Sequence, residues 1–125
     1  MATLKSFEEL DCWKASFEVK IWVIEIMKQF PKEERYDLID NMKRAANSTT
    51  RNIAEGFGRY HYKENIQFVR IAKGSMTEVL DDAITAEFKN YITKKDLEIG
   101  RLKITRALQL MNGYIKYLNS LVKKY

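Results

Sequence analysis

Arg44, Arg51, Glu55 and Arg59 stand 7, 4 and 4 residues apart, a spacing that sets four charged side chains along one side of a helix. A guanidinium is a planar fork that grips phosphate in two places, so a row of three suits a nucleic-acid backbone. Lys43 adds charge beside Arg44 without the fork. Tyr60, His61 and Tyr62 follow at once, rings suited to stacking on unpaired bases. The candidate nucleic-acid contacts are therefore Lys43, Arg44, Arg51, Arg59 and His61. A plainer reading competes with this one. Glu55 and Arg59 form the favoured acid-before-base pair, and most charged stripes opposite an apolar face are only solvated surface.

Other chemistry finds little footing. His61 is the one histidine, and no arginine stands four to six residues ahead of it, the arrangement of some four-helix ribonucleases. Cys12 is the one cysteine, so it has no internal disulfide partner and no second thiol for zinc. The chain holds no P-loop, no G-x-S-x-G and no Glu-x-x-His pair for a di-metal bundle. No catalytic residue, metal ligand or cofactor is expected, and the protein reads as a non-enzyme. Asn52 and Ser75 are expected to hydrogen-bond between helices, and Asp81 and Asp82 to lie on an outer face.

Charge is unevenly placed. The net charge is +5, yet six of the 22 bases and none of the 17 acids fall at 101–125, which leaves 16 bases to 17 acids in the first hundred residues. Such a basic end attracts polyanions by releasing their counterions, which makes RNA a possible partner. No apolar run is long enough for a membrane span. The opening MATLKSFEELDCWK lacks a signal-peptide core, so a cytoplasmic location is expected.

The elements that must carry these residues read as four helices. With 46% hydrophobic residues, 31% charged residues and a single proline, the composition fits an all-α domain. The breaks predict helices at about 7–30, 33–57, 62–89 and 94–122, with Pro31 ending the first and Thr93-x-x-Asp96 boxing the start of the last. Gly56 and Gly58 are expected to close the second helix in left-handed conformations, and Gly74 to allow a close approach by a neighbour. Short connections predict an antiparallel up-down four-helix bundle, one domain over residues 1–125. Leu38, Met42, Ala46, Thr49 and Ile53 should face inward on the second helix. Leu97, Ile104, Leu108, Met111, Ile115, Leu118 and Val122 should do so on the fourth.

The first helix has more apolar surface than one stripe requires. Trp13, Phe17, Ile21 and Ile24 share a face; Val19, Trp22, Val23, Ile26 and Phe30 share another. A spare face calls for a further partner, and Val19, Trp22, Val23 and Ile26 are assigned here to a self-association interface.

The run KRAANSTTRNIAEGFGRYHYKENIQFVRIAKGSMTEVLDDAITAE resembles the 23S rRNA-intervening-sequence family of four-helix bundle proteins. Arg44-Ala45-Ala46-x-Ser48, Asn52-Ile-Ala-Glu-Gly56-x-Gly58-Arg59, Glu64, Phe68, Ile71-Ala72, Gly74-Ser75 and Glu78 carry the resemblance. It implies a ring, typically a homopentamer, and a relation to the accessory variability protein of diversity-generating retroelements, a basic ring that binds RNA and a reverse transcriptase. No catalytic chemistry comes with it. Two functions follow as expectations: an oligomeric RNA-binding protein, or a scaffold or accessory subunit for a protein partner with no direct RNA role.

Overall fold

Pro31 disfavours helical angles in the residue before it, and the first long helix stops ahead of it. In the computed structural model, which describes residues 4–122, α1 spans Asp11–Met27, α2 Leu38–Phe57, α3 Tyr62–Phe88 and α4 Lys94–Val122. Two short 3₁₀ turns, Phe7–Glu9 and Lys32–Glu34, take up the ends that periodicity alone assigns to the first two helices. Leu10 is extended at φ −72°, ψ 127°, which separates the first turn from α1. No strand occurs among the described residues.

Each boundary has a local cause. Thr93 and Asp96 cap each other: the Asp96 amide donates to Thr93 Oγ1 at 3.0 Å, and the Thr93 amide donates to Asp96 Oδ2 at 3.1 Å. At the end of α3, Asn90 takes φ 65° and the Tyr91 amide reaches back to the Ala86 carbonyl at 2.9 Å. Asparagine there does the work usually left to glycine, since its short side chain tolerates left-handed angles. The glycines of the 56–58 turn do not. No glycine among the described residues has positive φ, and Gly58 lies at φ −78°, ψ −5°. The expectation of left-handed closure at Gly56 and Gly58 is therefore corrected.

The role of Gly56 is room. A Cβ at Gly56 would stand 2.6 Å from Asn65 Oδ1 and 2.9 Å from Phe68 Cβ, so its bare backbone lets α2 meet α3. Gly100 does the same on α4, where the Trp22 indole occupies the space of the missing side chain. Gly74 has nothing within 4 Å of its Cβ position, so within the chain no neighbour makes the close approach expected there.

Each helix packs against the one before and the one after it, and α4 closes back on α1. Gly56 beside Asn65 and Ser48 beside Ser75 make α2 and α3 antiparallel. One core runs through all four helices, and Met42, Ile53, Val69, Met76, Ile104 and Met111 are among its fully buried members. The inward faces expected for α2 and α4 are the faces found buried or half-buried. Two buried hydroxyls bond within their own helix: Ser16 donates to the Cys12 carbonyl at 2.7 Å and Thr49 to the Ala45 carbonyl at 3.0 Å.

The assignment of Val19, Trp22, Val23 and Ile26 to a self-association interface does not survive the packing. They are only 1%, 8%, 1% and 3% exposed, because α2 and α4 cover them. The spare face is the opposite one, where Phe17, Ile21 and Ile24 are 38%, 47% and 47% exposed and Trp13 packs edge to face on Phe7.

Candidate nucleic-acid interface

α2 carries the arginine row, and its buried face dictates where the row points. With Met42, Ala46, Thr49 and Ile53 inside, Arg44 and Arg51 are left outside, two helical turns apart. They line one shallow groove with Asn47, Ser48, Asn52 and Glu55. Lys43 is exposed about 100° round the helix from Arg44, off that line.

The guanidinium groups are not equally available. Arg44 pairs with Asp40 at 3.3 Å and donates to Asn41 Oδ1 at 2.7 Å. Arg59 pairs with Glu55 at 3.3 Å and Glu64 at 3.7 Å, and its guanidinium lies 4.8 Å from the centre of the Phe68 ring. It stitches α2 to α3 across the turn. Arg51 has no ion pair among the described residues.

Beneath the row lies a polar seam. Asn52 Nδ2 donates to the Ser48 carbonyl at 2.8 Å and to Ser48 Oγ at 3.0 Å, and Ser48 Oγ meets Ser75 Oγ at 2.8 Å across the α2–α3 contact. The expected inter-helix bond of Ser75 is present, while Asn52 bonds within its own helix and supports the pair. Farther along the same seam the charge reverses. Glu78, Asp81 and Asp82 of α3 share a second groove with Asn41, Arg44 and Ser48. Asp82 is half-buried rather than on an outer face; burial first, then Asp81, Glu78 and Asp37, pushes its carboxyl up to about 6. Acids this close to Arg44 weaken the row as a phosphate track.

His61 belongs to a different place. It caps the N-terminus of α3 with extended angles and no side-chain capping bond, and its ring meets Tyr60 edge to face at 4.8 Å. Arg44 to Phe57 is 13 residues, roughly 20 Å at 1.5 Å per residue, so the candidates are split: Arg44 and Arg51 line the α2 groove, Lys43 lies off it, and Arg59 and His61 belong to the turn at the end of the bundle. There Tyr60, His61, Tyr62, Lys63 and Glu64 share a concave surface with Val122, the last described residue of α4. Sequence reasoning did not join α4 to that turn, because only closure of the bundle brings the two ends together.

α4 itself supplies the least opposed positive charge. From Arg101 to Val122 it holds Arg101, Lys103, Arg106 and Lys116 and no acid; Lys123 and Lys124 lie outside the described residues. Of these, only Arg101 makes an ion pair among the described residues, with Glu98 at 3.8 Å. Nothing points to catalysis at Cys12, whose thiol is buried and pushed up to about 12, chiefly by that burial. No cluster of three or more His, Cys, Asp or Glu side chains among the described residues is placed to hold a metal ion. No helix among them is long and apolar enough to cross a membrane.

A closed ring of four packed helices with a polar α2–α3 seam defines the class: an all-helical four-helix bundle. The sequence matches the 23S rRNA-intervening sequence protein family over residues 8–113, and the chain belongs to that family. A solved structure from Bacteroides thetaiotaomicron, described as a protein with unknown function from the S23 ribosomal protein family, is similar at 20% identity with a TM-score of 0.76. The match covers 84% of this chain and 98% of that one, and it speaks for the fold alone. No curated protein matches the sequence.

Proposed function

We propose that this protein is a non-enzymatic, self-associating bundle that binds RNA through a basic surface. The observation that carries the reading is the acid-free stretch of α4, whose Lys103, Arg106 and Lys116 face no paired carboxylate among the described residues. Phosphate neutralisation by unopposed bases releases counterions, whereas Arg44 and Arg59 must first give up Asp40, Glu55 and Glu64. Arg51, the member of the α2 row without an ion pair among the described residues, lies on the helix diagonally across the bundle and stands apart from this surface. The exposed stripe of α1 supplies the contact between copies, aligning their α4 surfaces into a larger basic rim.

The test is filter binding of RNA over a salt series. Lys103→Glu, Arg106→Glu and Lys116→Glu together should abolish binding, with the self-associated mass unchanged. Arg51→Glu, on the helix diagonally across the bundle, should leave affinity and salt slope nearly unchanged, whereas each α4 base lost should lower the slope by about 0.7–0.9. Binding indifferent to salt and to the α4 changes would remove the reading. A stoichiometric protein partner retained after nuclease treatment would favour the scaffold function instead.

A further inference from the structure

The turn joining α2 to α3 presents an aromatic group that the fold does not use. Tyr60 is 91% exposed and Tyr62 is 40% exposed, at a place where a chain reversal needs only small or polar residues. Burial cannot account for Tyr60, since the ring removes almost no surface from water. His61 meets it edge to face at 4.8 Å, which holds the two rings close to perpendicular, at 87°. The acid of this turn, Glu64, is engaged by Arg59 at 3.7 Å, and Lys63 has no ion pair among the described residues.

Resting on the RNA-binding reading above, we propose that this turn and the C-terminal end of α4 bind unpaired nucleotides of a single strand, Tyr60 and Tyr62 stacking on bases while Lys63 and His61 hold the phosphates between them. Rings on a projecting turn cannot reach bases stacked inside an A-form duplex. They can take the open faces of splayed ones, and stacking is tolerant of sequence because every base has a π-face. The concavity between Tyr62 and Val122 gives a strand a path from the turn onto the basic helix.

The experiment compares a ten-nucleotide single-stranded RNA with a ten-base-pair RNA duplex by fluorescence anisotropy, using the full chain. Wild-type protein should prefer the single strand. Tyr60→Ala with Tyr62→Ala should cost about ten-fold or more in single-strand affinity, leave the salt slope unchanged and spare the duplex. Tyr60→Ala alone, at a site too exposed to disturb folding, should account for several-fold of that loss, and Tyr60→Phe should restore it. A 4-thiouridine strand should crosslink to Tyr60 or Tyr62. Equal affinity for strand and duplex, or alanine variants that bind as wild type, would overturn the site while salt-dependent binding through α4 stands. Failure to bind either RNA would overturn both.

Discussion

Gly56, Gly74, Gly100 and Gly113 all lie inside helices, where glycine costs roughly 1 kcal/mol against alanine, but they do so for different reasons. At Gly56 and Gly100 the space for a side chain is already filled, by Asn65 and Phe68 in one case and by Trp22 in the other. Overpacking there costs about 1–3 kcal/mol, which outweighs the propensity gain. Gly56→Ala and Gly100→Ala should therefore each lower the urea midpoint, because Phe68 Cβ and the Asn65 backbone carbonyl at one site and the Trp22 indole at the other cannot step aside cheaply. Gly74 and Gly113 have open space instead. Alanine at either should raise stability by about 0.5–1 kcal/mol, measured by the same urea titration.

At the scale of elements, the two connections at one end of the bundle are tied by a carboxylate. Glu34, buried in the turn before α2, accepts from Lys89 Nζ at 2.8 Å and from the Tyr91 hydroxyl at 2.7 Å, both at the loop after α3. The bond from Lys89, then that from Tyr91, holds the Glu34 carboxyl below its ordinary 4.5. A lowered folded value means this contribution is complete above pH 4.5 and is lost as pH falls through the folded value. Glu34→Gln should accordingly lower the thermal midpoint at pH 7, and the difference from wild type should vanish in acid below the folded value. Asp82 on α3 works in the opposite sense. Its folded value is raised from 3.8 to about 6, so the charged form opposes folding, with no effect below 3.8 and the full effect above 6. Asp37, Glu78 and Asp81 face it, with Arg44 and Asn41 across the groove. Asp82→Asn should raise the midpoint by a few degrees at pH 7 and leave it nearly unchanged at pH 3, by calorimetry at the two pH values.

Over the whole molecule, α1 is apolar on two opposite sides. One side is consumed by the core; the other leaves Phe17, Ile21 and Ile24 in water, an arrangement that marks a contact surface more often than a free helix. Ile21→Lys with Ile24→Lys should reduce the mass in sedimentation to that of a single subunit, with helical content kept. Val23→Ala, from the buried side, should cost about 2 kcal/mol of stability without changing that mass. A wild-type protein that sediments as one subunit at high concentration would end the self-association reading.

Periodicity, caps and breakers settled the helices of this protein, because each of those signals acts within a few residues. The four spans, the inward faces of α2 and α4 and the Thr93–Asp96 box are all local consequences of side-chain spacing. The family motif was likewise legible in the residues themselves. Tertiary packing decided which face of α1 turns inward, since both were apolar and the face taken is the one whose Trp22 fills the space left at Gly100. The Asp40–Arg44 and Glu55–Arg59 pairs lie four residues apart and follow from spacing, whereas packing decided that Glu34 ties the turn before α2 to the loop after α3 and that Tyr60 shares a surface with the end of α4. Contacts of that kind join segments far apart in the chain, and spacing along one helix carries no information about its neighbour.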